Sequence, residues 1–124
     1  MLSVGVDIIQ ITRIERVIDR WGDRFLQRIY TEKELIYCRG RIPELAARFA
    51  AKEAISKALG TGIKGIYWSE MEILGDHRGK PTVTLSGHAL ARAQELELDE
   101  WAISLSHSDD NAVAFVTATG ADSQ

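Results

Sequence analysis

Apolar residues near the amino terminus recur at every second position, which is the spacing of a β-strand. Residues 2–11 form two alternating faces, with Val4, Val6 and Ile8 on one and Gly5, Asp7 and Ile9 on the other. Thr12, with Glu15 three residues later, matches a capping box and predicts a helix to about Trp21. Gly22 is expected to end that helix.

Two short helices are predicted next. Residues 23–30 form the first of them. Thr31 and Glu34 repeat the capping-box pattern and open the second, which we expect to continue to about Cys38.

Residues 43–59 form the longest predicted helix. Pro43 suits its first turn, and Gly60-Thr61-Gly62 stops it. A stripe of small side chains runs along it, consisting of Ala47, Ala50, Ala51, Ala54 and Ala58. Because apolar residues cover most of the circumference, we expect this helix to be buried.

The second half of the chain consists mainly of predicted strands. Strands are expected over residues 69–75, 80–86, 101–107 and 112–119, with a short helix over 86–98. Helices and strands are thus segregated, and short turns join the late strands. The predicted fold class is α+β, with a mainly antiparallel sheet, one long central helix and shorter N-terminal helices. We expect a single domain over residues 1–124.

The composition, 45% hydrophobic and 27% charged, is that of a globular domain. Cys38 is the only cysteine, so no disulfide forms within the chain, and the three histidines are too scattered for a zinc pattern. No apolar run approaches the roughly 20 residues of a membrane span, and the amino terminus lacks a secretory signal pattern. We therefore expect a cytoplasmic protein without a membrane partner.

The net charge of −3 conceals an asymmetry. Residues 1–41 hold eight basic and six acidic residues, whereas the remainder holds seven basic and twelve acidic residues. The acidic total argues against broad nucleic-acid binding. The basic first third indicates a local anionic partner.

Three charged residues stand in apolar sequence surroundings. Asp7 lies mid-strand, where a carboxylate needs a cation or donors; an arginine or a helix end would satisfy it. Glu53 and Lys57 are four residues apart and would form an ion pair worth about 0.3–0.5 kcal/mol on an exposed helix. On a buried helix the alternative is a phosphate-and-metal site, in which Glu53 holds a cation and Lys57 neutralises phosphate oxygens.

Two other motifs give weaker indications. The glycines from Gly60 to Gly65 fit neither a P-loop nor a Gly-x-Gly-x-x-Gly loop. They indicate a helix end and turn that would let a ligand approach the backbone closely. His107 ends a predicted strand after Ser104, but the chain has no Gly-x-Ser-x-Gly elbow for a hydrolase triad.

Seven segments of the chain, taken in their order and with their exact residues, form a pattern that is specific for one family. They are Gly5-Val6-Asp7-Ile8, Arg13-Ile14-Glu15, Arg48-Phe49-Ala50-Ala51-Lys52-Glu53-Ala54, Lys57-Ala58, Gly60-Thr61-Gly62, Gly79-Lys80-Pro81 and Ser104-Leu105-Ser106-His107. Together they resemble the holo-acyl-carrier-protein synthases, the short phosphopantetheinyl transferases. The resemblance covers about residues 4–117.

The resemblance implies an activity and a set of site residues. Such enzymes transfer the 4′-phosphopantetheine of coenzyme A to a serine of apo-acyl carrier protein in support of fatty acid biosynthesis, and they release adenosine 3′,5′-bisphosphate. Catalytic roles fall on Asp7, Glu53 and Lys57, with the first two as ligands of Mg²⁺. The implied coenzyme-binding residues are Arg48, Lys52, Lys57, Gly60, Thr61, Gly62 and His107, the last near the 3′-phosphate. Small members are homotrimers with active sites between subunits.

One position departs from the pattern of the larger relatives. They place a second acid two residues after the first aspartate, where this chain has Ile9. Waters would then complete the coordination of Mg²⁺, which accepts one or two carboxylates together with phosphate oxygens. Either Glu53 or a bound water would take the proton of the carrier's serine.

Basic residues at helical spacing near the amino terminus suit an acidic carrier. They are Arg13, Arg16, Arg20 and Arg24. The alternative is a solvated face paired with Glu15, Asp19 and Asp23. For the chain as a whole, the alternatives are a non-catalytic module that binds coenzyme A or another nucleotide, and an assembly protein that packs through its alanine stripe.

Overall fold

The computed structural model describes residues 1–120, so residues 121–124 of the predicted domain lie outside the described part. The elements in chain order are β1 (Leu2–Gln10), α1 (Ile11–Trp21), α2 (Asp23–Ile29), α3 (Glu32–Cys38), α4 (Ile42–Ala58), a 3₁₀ turn (Trp68–Glu70), β2 (Met71–Gly75), β3 (Pro81–Leu85), α5 (Gly87–Glu95), β4 (Glu100–His107) and β5 (Asn111–Thr119). None of the helices among these residues is both long enough and apolar enough to cross a membrane.

Two antiparallel sheets are formed. The larger has the order β1-β5-β4, and the smaller pairs β2 with β3. The predicted hairpin of β4 and β5 is confirmed, with His107 opposite Ala112. Helix α4 packs across the larger sheet, against β1 and β5 in particular. The predicted α+β class with one long central helix is thereby confirmed.

The two faces of β1 have opposite environments. Gly5 and Ile9 are buried under α4, and Asp7 lies between them on the same inner face. The opposite face remains apolar and exposed, with Leu2, Val4, Val6, Ile8 and the cross-strand neighbour Phe115 between 45% and 65% accessible. The alternation was predictable from the sequence, but the choice of face was not.

Helix α4 approaches β1 unusually closely. The alanines of the stripe are all nearly or fully buried, as expected. At Gly5 even a methyl group would collide with the main-chain carbonyl of Ala54. The hydroxyl of Ser3 donates to the carbonyl oxygen of Ala58 at 2.6 Å and joins the same two elements. The small residues thus set the distance between the strand and the helix.

Gly5→Ala is expected to destabilise the fold. The added carbon meets the backbone of α4 rather than a flexible side chain, so the helix must shift, which typically costs about 1–3 kcal/mol. Chemical denaturation of the variant measures the loss. Gln10→Ala, at an exposed position of the same strand, serves as the control and should stay within about 0.5 kcal/mol of the parent. Equal stabilities of the Gly5 variant and the parent would contradict the close approach.

One predicted cap is correct and another is wrong. Thr31 and Glu34 form a reciprocal capping box at the start of α3, as expected. Helix α1, however, begins at Ile11 after Gln10 rather than at a Thr12 cap. The amide of Ile11 donates to the carbonyl oxygen of Asp110 at 2.9 Å. A tertiary contact thus satisfies the first of the amides that a helix leaves without an intrahelical partner.

Candidate active site

Asp7 meets Lys57 where β1 crosses the last turn of α4. The Lys57 ammonium lies 3.0 Å from Oδ1 of Asp7 and 2.9 Å from the carbonyl oxygen of Val6. The Asp7 side chain is 18% exposed and that of Lys57 is 53% exposed. The cation that Asp7 requires therefore comes from α4, and it remains accessible to a ligand.

Glu53 lies one helical turn before Lys57 and is half-buried. Its carboxylate forms no hydrogen bond or ion pair with any residue from 1 to 120. Burial raises the pKa of Glu53, and the charge of Asp7 raises it further, while Lys57 and Arg13 oppose the shift. The simple Glu53–Lys57 pair is therefore wrong, because Lys57 turns to Asp7. All three predicted catalytic residues are close to one another.

The donor set of this cluster fits a hard divalent cation. Within the described residues, no group of three or more His, Cys, Asp or Glu side chains converges on one point. Ile9, which stands where larger relatives have an acid, is buried in the core. Two carboxylates, Asp7 and Glu53, match the one or two that Mg²⁺ uses when substrate phosphates and waters complete its coordination.

A second cluster lies at the other edge of the sheet. Arg48 and His107 line a cavity of about 260 Å³, together with Tyr37 and Gly79. Arg48 is 2% exposed; its Nε donates to the carbonyl oxygen of Ile73 at 3.0 Å, and its Nη1 contacts Glu44 at 3.2 Å. Its Nη2 has no hydrogen-bond partner among residues 1–120. The cavity, which the Glu44 carboxylate also lines, therefore offers the free Nη2 of Arg48 and the ring of His107 to a ligand.

The two clusters do not converge within one chain. Asp7 lies on β1 and His107 on β4, with β5 between them, which separates the strands by about 10 Å. Arg48 and Lys57 are nine residues apart on α4, or about 13 Å along its axis. One chain thus presents two partial sites.

Lys52 is a correction to the predicted coenzyme-binding set. Its side chain is fully buried and its ammonium bonds Glu34, the carbonyl oxygen of Trp68 and that of Met71 at 2.8, 3.0 and 2.7 Å. Burial lowers the pKa of Lys52, and the carboxylate of Glu34 opposes this shift. Because all three ammonium hydrogens have protein acceptors, Lys52 has none left for a ligand.

The segment Gly60-Thr61-Gly62 closes the end of α4. The amides of Thr61 and Gly62 both donate to the carbonyl oxygen of Ser56, at 3.3 and 3.2 Å. Gly60 and Gly62 have φ values of 74° and 58°, which glycine adopts readily. The predicted helix end and turn are confirmed, and a ligand here would meet a backbone whose Thr61 and Gly62 amides are already bonded.

The four predicted partner-binding arginines are all exposed. Among residues 1–120, none of Arg13, Arg16, Arg20 and Arg24 forms an ion pair with Glu15, Asp19 or Asp23. The exposure of all four arginines fits both carrier binding and the alternative of a solvated face. The guanidinium groups of Arg20 and Arg24 lie 5.1 and 5.8 Å from the ring centre of Trp21. Arg13 lies close enough to Glu53 to influence its pKa.

A groove of about 380 Å³ runs beside these arginines. Its basic lining consists of Arg24 and Arg28, and its apolar lining includes Trp21 and Phe25, which were not among the predicted partner-binding residues. The spacing of Val17 and Trp21, four residues apart on α1, could have indicated this groove, because apolar residues at that spacing share one helix face. The groove thus combines an apolar floor with a basic rim.

Comparison with known proteins shows that the chain matches one family. Residues 3–116 match the 4′-phosphopantetheinyl transferase superfamily. The holo-[acyl-carrier-protein] synthase of Herpetosiphon aurantiacus is 50% identical, over 97% of this chain and 100% of its own. That of Dehalococcoides mccartyi is also 50% identical, over 95% of this chain and 98% of its own.

Solved structures agree with the sequence comparison. The crystal structure of the Helicobacter pylori holo-[acyl-carrier-protein] synthase in complex with coenzyme A has a TM-score of 0.86 and 32% identity, covering 94% of this chain and 99% of that chain. The Bacillus anthracis synthase, in complex with CoA (3′,5′-ADP), has a TM-score of 0.79 and 38% identity, with 96% of each chain covered. The chain belongs to the 4′-phosphopantetheinyl transferase superfamily, among the holo-[acyl-carrier-protein] synthases.

Proposed function

We propose that this chain, as a single domain, transfers the 4′-phosphopantetheine of coenzyme A to a serine of apo-acyl carrier protein. Adenosine 3′,5′-bisphosphate is the second product, and the modified carrier serves fatty acid biosynthesis in the cytoplasm. The observation that carries the proposal is the cluster of Asp7, Glu53 and Lys57. Membership of the family, and relatives named for this activity, support it.

Two carboxylates and one ammonium supply what phosphoryl transfer requires. Asp7 and Glu53 would hold Mg²⁺, and the metal would neutralise charge on the diphosphate. The serine oxygen attacks the phosphorus that carries the pantetheine, and the bond from that phosphorus to the bridging oxygen breaks. The bisphosphate leaves with the electron pair. Such transfer depends mainly on positioning and charge neutralisation.

Glu53 is suited to take the proton of the serine. Its carboxylate has no hydrogen bond within residues 1–120, so it has acceptor oxygens available for the serine hydroxyl. A water bound beside Glu53 is the alternative acceptor. Lys57, already directed into the cluster, places its charge next to the diphosphate.

The Lys57 ammonium is paired with the Asp7 carboxylate when no ligand is bound. Removing this ammonium should therefore change the affinities for a metal ion and for coenzyme A in opposite directions. Lys57→Met should raise the affinity of the free protein for Mn²⁺ about tenfold, since a charge 3.0 Å from Asp7 is removed. The same change should weaken the binding of coenzyme A, whose phosphates lose a cation. Titration of Mn²⁺ by electron paramagnetic resonance and calorimetry with coenzyme A measure both affinities. Unchanged or weaker Mn²⁺ binding would contradict the shared position, and Lys33→Met is the exposed control.

Arg48 and His107 are proposed to bind the 3′-phosphate of coenzyme A. The unbonded Nη2 of Arg48 and the accessible ring of His107 support this role in the cavity that they line. The guanidinium carbon of Arg48 also lies 4.6 Å from the ring centre of Tyr37. Thr61, with Gly60 and Gly62, lies next to Lys57 and is proposed to accommodate the coenzyme along its backbone.

His107→Ala should weaken coenzyme A about tenfold or more, because a charge-assisted hydrogen bond to phosphate is worth roughly 1.5–3 kcal/mol. Dephospho-coenzyme A, which lacks the 3′-phosphate, should bind parent and variant nearly equally. Dissociation constants for both ligands test this assignment. Equal losses for the two ligands would remove His107 from the phosphate site, and His77→Ala, in an exposed turn, provides the matched control.

Apo-acyl carrier protein is proposed to dock on α1 and α2. An acidic helical protein complements the exposed arginines Arg13, Arg16, Arg20 and Arg24, of which Arg24 lines the groove. The apolar floor of the groove, with Trp21 and Phe25, would receive the carrier's apolar residues. Arg13 lies at the end of this surface near Glu53, which would direct the carrier's serine towards the cluster. No nucleic acid or membrane is proposed as a partner.

A homotrimer with sites between subunits is proposed for the assembly. The exposed apolar face of β1 and Phe115 supports burial against another copy, since monomers rarely expose large contiguous apolar patches. The separation of the two clusters within one chain supports sites completed by a neighbour.

Intact-mass measurement tests the proposal directly. Purified protein is incubated with coenzyme A, Mg²⁺ and apo-carrier; the carrier should gain one phosphopantetheine, and a chelator should abolish the gain. Coenzyme A binding without any mass change would instead favour a non-catalytic binding module. Self-association without either result would favour an assembly protein.

A further inference from the structure

Helix α4 carries a lysine whose charge lies wholly inside the protein. The side chains of Lys52 and Glu34 are both 0% exposed, and their N–O distance is 2.8 Å. Burying such a pair rarely makes a fold more stable than apolar residues of the same size would. Its presence within this helix therefore points to a role other than stability alone.

Glu34 extends the pair to the start of its own helix and to strand β2. Its Oε1 also accepts from the amide of Thr31 at 2.9 Å, and its Oε2 accepts from the amide of Ile73 at 2.9 Å. Lys52 adds the carbonyl oxygens of Trp68 and Met71. One carboxylate and one ammonium thus join the start of α3, the middle of α4 and strand β2.

The opposite side of α4 is held by β1. The carbonyl of Ala54 lies so close to Gly5 that a side chain at position 5 would collide with it. Successive helical residues differ by about 100° around the axis, so Lys52 and Ala54 point to nearly opposite sides and Glu53 lies between them. Two contacts, one on each side, therefore fix the rotation of the helix that carries Glu53.

We propose that Lys52 and Glu34 are positioning residues, which hold α4 in the rotation that brings Glu53 to Asp7 of β1. They touch neither coenzyme A nor the carrier. The inference rests on the proposed function, in which Asp7 and Glu53 share a divalent cation. Small errors matter in such a site, because a displacement of about 1 Å can reduce catalysis roughly a hundredfold.

Three variants test this role. Lys52→Met removes the ammonium and leaves Glu34 buried without its cation. The double variant Glu34→Gln/Lys52→Met leaves no unpaired buried charge. Lys33→Met, at the exposed neighbour of Glu34, is the control. Each variant is studied at a temperature at which its own unfolding curve shows that it is fully folded. The measurements are turnover, the KM for the carrier and the dissociation constant for Mn²⁺ in the absence of coenzyme A.

Both Lys52 variants should bind Mn²⁺ more weakly and lose at least about tenfold in kcat. Carrier KM should stay within about twofold of the parent, since α1 and α2 are untouched. The double variant should melt at a higher temperature than Lys52→Met and yet remain as slow. This combination separates positioning from stability.

Parental kcat and Mn²⁺ affinity in a folded double variant would overturn the inference, and so would losses that only parallel the unfolded fraction. If Lys52→Met does not fold, the double variant decides. Glu53→Gln identifies the source of a failure. Impaired Glu53→Gln with parental Lys52 variants refutes only the positioning role, whereas parental Glu53→Gln refutes the proposed site itself.

Discussion

Asp7→Asn and Glu53→Gln should each reduce turnover at least about a hundredfold, because cation stabilisation of transition-state charge is worth several kcal/mol. Each variant keeps the shape of its side chain, and neither residue belongs to the fully buried core. Both should therefore fold as the parent does. Turnover is measured at saturating Mg²⁺ with coenzyme A and apo-carrier.

The control for these two variants is Glu95→Gln, which changes an exposed carboxylate on α5, more than forty residues after Glu53 in the sequence. It should retain turnover within about twofold, as surface substitutions usually do. Weaker Mn²⁺ binding by the Asp7 and Glu53 variants should accompany their slow turnover. Turnover within a few-fold of the parent would remove the carboxylate concerned from the site.

Reversal of the charges beside Trp21 is expected to have the next largest effect. Arg20→Glu/Arg24→Glu should reduce kcat/KM for the carrier about a hundredfold at low salt, because steering charges mainly accelerate association. Neither arginine has an ion-pair partner among residues 1–120, so the reversal breaks no internal bridge. The dissociation constant for coenzyme A should remain nearly parental.

Salt provides the second measurement on the same variants. The parental kcat/KM should fall with added salt, since exposed charges are screened when the Debye length reaches about 10 Å near 0.1 M. The doubly reversed variant should show a shallower response. Lys33→Glu, an exposed reversal on α3, should leave both values within about twofold of the parent. Unaltered carrier kcat/KM and salt response in the Arg20/Arg24 variant would place the docking surface elsewhere.

Local patterns determined most of the secondary structure of this protein. The alternation in β1, the capping box of Thr31 and Glu34, and the glycines after α4 each act over a few residues, so the sequence predicts them directly. The start of α1 was mispredicted: the helix begins one residue before Thr12, at Ile11, whose amide donates to a distant carbonyl, that of Asp110. Local rules do not contain that contact.

For the candidate site, too, the sequence predicted some features and only the tertiary structure decided others. The resemblance in sequence identified Asp7, Glu53, Lys57 and His107, because their motifs keep a specific order. Only the tertiary structure decided that Lys57 pairs with Asp7 rather than Glu53, since these residues are fifty positions apart in the chain. It likewise directed Lys52 inward to Glu34 and placed His107 at the far edge of the sheet. Which charges face each other depends on how α4 crosses β1, and contacts between residues distant in the sequence fix that crossing.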